Sequence, residues 1–80
     1  MNPKVIIAEP LTNHRLRLRF ENGEIREFDV APYLDKGIFR ELKDDAYFRR
    51  VRVAFGSVEW PNEQDFSKDT LYMLGTPSGT

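Results

Sequence analysis

Three arginines at alternating positions, Arg15, Arg17 and Arg19, are the residues of this sequence best placed to meet a ligand together. On a strand, side chains two apart share a face, so their guanidinium groups would form a row. A row of that kind suits phosphate, and strands can present it to nucleic acid. Leu16, Leu18 and Phe20 fall on the opposite side, so the same pattern also describes a half-buried strand with a solvated outer face. Glu27 and Asp29 follow within reach of a hairpin partner and can neutralise the row. It therefore reads first as a paired surface and second as a ligand face. Exposed ion pairs contribute only about 0.2–1 kcal/mol each, so they would not need the arginines for stability.

Other chemistry-bearing residues resolve into local structural roles. Arg49, Arg50 and Arg52 stand where a helix would end, and positive charge there complements the helix dipole. His14 is the only histidine, precedes a strand, and has no positioned nucleophile or carboxylate, so it reads as a surface residue. Asp44-Asp45 reads as a helix cap rather than a carboxylate pair, and Asp65 with Ser67 likewise reads as capping. One histidine, no cysteine and scattered carboxylates give no metal-ligand spacing. There is no glycine-rich phosphate loop and no nucleophile elbow. Trp60-Pro61-Asn62 is the most distinctive tripeptide: the tryptophan either fills the core or stands out as a binding anchor. Tyr33, Tyr47 and Tyr72 carry the same ambiguity. The candidate interaction surface is accordingly Trp60, Asn62, Tyr72, Arg15, Arg17 and Arg19, with no catalytic, cofactor-binding or metal-binding residue expected.

These residues must be positioned by a small chain. Eighty residues make one domain with one core, about residues 4–75, and a flexible tail at 76–80. Hydrophobic residues are 40% and aromatics 12%, enough to pack that core. The absence of cysteine excludes disulfides and thiolate chemistry and fits a reducing cytoplasm. No apolar run approaches the roughly 20 residues of a membrane helix, and the start does not read as a signal peptide. Net charge is -1, so nothing global draws the chain to nucleic acid or anionic membrane.

Along the chain, residues 5–8 are β-branched and apolar and read as a strand ended by Pro10. Residues 15–20 alternate strictly, and Asn22-Gly23 then marks a hairpin returning through 25–30. A two-residue loop would set Arg19 opposite Arg26 and Leu18 opposite Glu27. A three-residue loop, with Gly23 in the left-handed position, instead sets Arg17 opposite Glu27, Arg15 opposite Asp29 and Leu16 opposite Phe28, and is expected. Residues 32–34 form a turn, 38–42 a short helix, and Asp44 or Asp45 caps another to about residue 50. Residues 51–55 read as a strand that reverses at Gly56-Ser57 into 58–60. Ser67 caps a last helix over 68–74, ended by Gly75. The order β-β-β-α-(α)-β-β-α implies an α+β fold: a small, mainly antiparallel sheet of about five strands with short helices on one face.

An ordered set of residues resembles a known family. Phe20-Glu21-Asn22-Gly23-Glu24, Phe28-Asp29, Pro32-Tyr33-Leu34, Gly37-Ile38-Phe39, Leu42-Lys43-Asp44, Phe48, Trp60-Pro61-Asn62, Asp65 and Leu71-Tyr72 together resemble the bacterial domain of unknown function 2442. The departure is Glu63-Gln64, where that family commonly has Gly and then a nearby Asp, so the turn there is expected to differ in shape. The resemblance implies a small α+β domain with no established activity, found beside another small family in an arrangement reminiscent of toxin–antitoxin pairs. Together with the missing catalytic constellation, the resemblance leads to the expectation of a non-catalytic module that binds a protein partner, the antitoxin-like member of a two-protein pair. The alternative is a nucleic-acid-binding or regulatory module using the arginine face. Neither reading calls for a cofactor, a small-molecule ligand or a membrane.

Overall fold

The computed structural model describes residues 2–77. Val5–Leu11 (β1), Arg15–Phe20 (β2) and Ile25–Asp29 (β3) form an antiparallel sheet in that order, with Thr76–Pro77 (β7) added beside β3. Arg52–Ala54 (β4), Ser57–Glu59 (β5) and Asp65–Phe66 (β6) form a second antiparallel sheet. The α-helices are Asp45–Phe48 (α1) and Lys68–Leu74 (α2), and short 3-10 helices span Thr12–His14, Ala31–Tyr33 and Gly37–Lys43. The α+β class and antiparallel pairing are as expected. The strands divide into two sheets, and short β6 and β7 add to the five anticipated.

Strand β2 has the alternation read from its sequence. Leu16, Leu18 and Phe20 are fully buried, whereas Arg15, Arg17 and Arg19 are exposed. The β2–β3 hairpin has the three-residue loop: Phe20 N–H donates to Glu24 O at 2.9 Å and Gly23 has φ 89°. Arg17 therefore lies opposite Glu27 and Leu16 opposite Phe28. The buried faces of β2 and β3 meet Val58, Trp60, Phe66, Phe48, Leu42 and Leu71 in one core. Aromatic contacts supply much of its packing, with Phe28 edge-on to Phe66 and Phe39 stacked on it, ring centroids each 5.0 Å apart.

Both helix caps form as read. Asp44 accepts from the Ala46 N–H at 3.1 Å, leaving Asp45 in the first turn of α1, and Ser67 accepts from the Thr70 N–H at 3.1 Å. Several expectations need correction. Strand β1 continues through Pro10 to Leu11, because β1 is a sheet edge and a residue without an N–H is tolerated there. Asp65 pairs in β6 rather than capping α2. Thr76 and Pro77 pair with Glu27 and Arg26 instead of fraying; residues 78–80 of the expected tail lie outside the described residues. Gly75 ends α2 without a left-handed φ: its N–H reaches Leu71 O, and a Cβ there would lie 2.5 Å from that oxygen.

Candidate functional site

The outer face of the four-stranded sheet is organised in cross-strand rows. Leu11, Arg15 and Asp29 form one, Glu9, Arg17 and Glu27 the next, and Ile7, Arg19 and Ile25 the third. Arg17 has an acid on each side and pairs with both, at 3.5 Å to Glu9 and 3.8 Å to Glu27. Arg15 reaches diagonally to Glu27 at 2.6 Å. Its register partner Asp29 accepts from the Ala31 N–H at 2.9 Å, so that carboxylate shapes the following turn and leaves the arginine to Glu27. Arg19 is different. Isoleucines flank it on both sides, and among the described residues it makes no ion pair. Ile7, Glu9, Arg17, Arg19 and Ile25 line a shallow pocket of about 150 Å³ here.

A second feature lies at the tip of the β4–β5 hairpin. The register Ala54 opposite Ser57 makes Phe55-Gly56 the turn, one residue earlier than the sequence reading placed it. Both turn residues have positive φ, 52° and 76°. That geometry suits Asn-Gly or Gly-Gly; a bulky aromatic pays a steric penalty in it. Phe55 is also 100% exposed, so no burial offsets that cost. The Val5 N–H donates to Gly56 O at 2.9 Å, tying the tip to the start of β1. Beside this tie in sequence stand Ile6, 52% exposed, and Val53, also exposed.

The other anticipated surface residues each bond or pack within the domain, Trp60 buried, Tyr72 half-buried and Asn62 exposed. Trp60 is 1% exposed, its indole N–H donates to Phe48 O at 2.8 Å, and its ring packs on Phe48 and Phe66. It is a core residue, and a binding surface built on it is ruled out by its burial. Asn62 donates through Nδ2 to both Glu41 carboxylate oxygens, at 2.9 and 2.7 Å, and through its backbone N–H to the Tyr47 hydroxyl. Gln64, 1% exposed, completes this network: its Oε1 accepts from Tyr47, and its Nε2 donates to Ile38 O and Glu41. The hydrogen bonds from Asn62 and Gln64 hold the Glu41 carboxyl below its usual range. Tyr72 is half-buried; its hydroxyl donates to Glu24, and the Arg26 guanidinium stacks 3.9 Å from its ring centroid. Hydrogen bonds from Tyr72, Arg26 and Asn22 pull the Glu24 carboxyl down to about 2. Arg15, Arg17 and Arg19 thus share one face; Trp60 belongs to the core, Tyr72 is half-buried, and Asn62 stays exposed with its side chain bonded to Glu41.

His14 is not a plain surface side chain. Its ring lies edge-on to Phe48, centroids 5.0 Å apart, and its buried Nε2 has no hydrogen-bond partner. Arg49 pairs with Asp45 at 2.8 Å and Arg52 with Glu59 at 3.0 Å. Among the described residues, no group of three or more His, Cys, Asp or Glu is placed to hold a metal ion. No helix among them is long and apolar enough to cross a membrane.

The family model described as "Protein of unknown function (DUF2442)" matches residues 5–77. The chain belongs to the DUF2442 family. The match runs from the first residue of β1 to the last of β7 and so spans both sheets. No curated protein and no solved structure matches the chain. The departure in the DUF2442 sequence pattern falls at a telling backbone position. Glu63 has φ 72°, its N–H reaches Trp60 O at 3.0 Å, and the Trp60 N–H reaches Gln64 O at 2.9 Å. The turn after Trp60-Pro61-Asn62 is thus left-handed where the family pattern commonly has glycine, and glutamate occupies it at a steric cost.

Sequence reasoning missed Phe55. The signal was present in part, because Phe-Gly followed by Ser-Val-Glu leaves room for a two-residue turn. Aromatic strand preference pointed the other way.

Proposed function

We propose that this DUF2442 chain is a non-catalytic module that docks a protein partner through the β4–β5 hairpin tip and the adjoining start of β1. The observation that carries this reading is Phe55: a large aromatic, wholly exposed, held in a backbone conformation that disfavours it. Strain of that kind, kept without local benefit to the fold, marks positions used for something else. Exposed aromatics are also the usual anchors of protein interfaces. The partner is another protein chain, for which a fully exposed aromatic anchor on a surface that also exposes Ile6 and Val53 is suited. The family's neighbourhood suggests the setting, an antitoxin-like member of a two-protein pair.

Nucleic-acid binding through the arginines draws less support. Two of the three guanidinium groups are paired with carboxylates, so phosphate would have to displace Glu9 and Glu27.

The test is a comparison of tagged wild type with Phe55→Asn, each purified from cells of the source organism and sized by chromatography. A stoichiometric protein complex with wild type, absent with Phe55→Asn, is the expected result. A low-salt gel shift with mixed DNA and RNA that retards both forms, with no protein complex, contradicts the reading.

A further inference from the structure

We infer that the Arg19 row on the outer sheet face is a binding slot for one acidic side chain of the partner protein. The inference takes its partner class from the docking reading above but rests on a different surface. Along β2, the fold supplies Glu27 to Arg15 and both Glu9 and Glu27 to Arg17. At the next row it brackets Arg19 with Ile7 and Ile25 instead. Ile7 stays 52% exposed, so the arginine stem does not cover it. An unneutralised guanidinium between two aliphatic walls is complementary to a carboxylate on an apolar stem. The planar fork can donate to both carboxylate oxygens, and the aliphatic walls can meet the acid's apolar stem. Among the described residues that line the slot, the acid is Glu9, and it is engaged by Arg17 at 3.5 Å. At about 150 Å³ the slot admits a single side chain. It falls below the roughly 300–1,000 Å³ of pockets that enclose small molecules. A glutamate side chain flanked by aliphatic residues fits both its charge and its size.

The test is an amide and arginine-side-chain NMR titration of the full chain at low ionic strength. The probes are acetyl-Leu-Glu-Leu-amide and its glutamine counterpart. The glutamate peptide is expected to shift Ile7, Arg19 and Ile25 saturably with a Kd of about 1 mM. The glutamine peptide, and Arg19→Gln titrated with the glutamate peptide, are expected to bind about tenfold more weakly, as loss of one charged hydrogen-bonded pair requires. Arg15→Gln, whose guanidinium is committed to Glu27, should bind as wild type. Equal shifts with both peptides overturn the inference, as does the absence of saturation at about ten times that concentration. Shifts of all three arginines with a single-stranded DNA 12-mer and none with the peptides would reassign the face to phosphate and overturn it too. Phe55→Asn should leave the titration unchanged, so failure here is separable from failure at the hairpin tip.

Discussion

Replacing Phe55 by asparagine should make the domain more stable, which is unusual for loss of a large aromatic. Phe55 is 100% exposed, so its removal forfeits essentially no buried apolar surface at the usual 25 cal/mol per Å². Its φ of 52° places an L side chain in the left-handed region, where the penalty is about 1–2 kcal/mol. Asparagine tolerates that region, and Asn-Gly is the favoured pair for a two-residue turn in which both residues are left-handed. Relief of about half the penalty gives a gain of about 0.5–1 kcal/mol, taken below at its upper end of about 1 kcal/mol. In a chain of this size that raises Tm by about 4–8 °C, or the urea midpoint by about 1 M if m is near 1 kcal/mol per M. Trp60, buried against Phe48 and Phe66, supplies the fluorescence signal for urea unfolding. A lower midpoint for Phe55→Asn would refute the reasoning, because it would mean that Phe55 packs against the folded domain and its exposure serves no partner.

The remaining predictions concern the scaffold. Glu63→Gly should stabilise by about 0.5–1 kcal/mol, since φ 72° there is free for glycine but strained for glutamate; thermal unfolding checks it, and a loss of stability contradicts it. Gln64→Ala should cost about 2–3 kcal/mol, because it strips buried partners from the Tyr47 hydroxyl and Ile38 O; a change under about 0.5 kcal/mol in urea unfolding would show that the network is dispensable. Glu24 is held at about 2 by Tyr72, Arg26 and Asn22, below its value in the unfolded chain. A depressed carboxyl contributes stability above its unfolded pKa and loses that contribution as pH falls through its folded value. The urea midpoint should therefore fall between pH about 4.5 and about 2. In Glu24→Gln the fall should be shallower, with the remainder due to Asp35 and Glu41, whose carboxyls are also held low.

What the sequence revealed, and what it hid, follows from how local each determinant is. The β2–β3 register could be worked out from charge, because only one loop length places Arg17 opposite Glu27 and Leu16 opposite Phe28. The caps Asp44 and Ser67 were readable because a capping oxygen acts within three residues. Long-range geometry was not. Nothing near Pro10 says that β1 is an edge, and nothing near Thr76 says that β3 has room for another strand. Gln64 owes its burial to Tyr47, Ile38 and Glu41, all distant in sequence. For the candidate site, the arginine row was legible as a face. That Arg19, unlike Arg15 and Arg17, lacks a carboxylate depends on the β1–β2 register, which sets Ile7 rather than an acid opposite it. The Phe55 tip was hidden by its own chemistry, because an aromatic residue reads as strand and here serves as turn.

The docking claim is tested most directly by photo-crosslinking in cells of the source organism, with p-benzoylphenylalanine placed at position 55 and, as a control, at position 73. Met73 is also exposed but lies on α2, away from the β4–β5 hairpin in sequence. One discrete adduct of the chain with a single other protein from position 55, absent from position 73, is the result expected. No adduct at position 55, or the same products from both positions, would contradict the account.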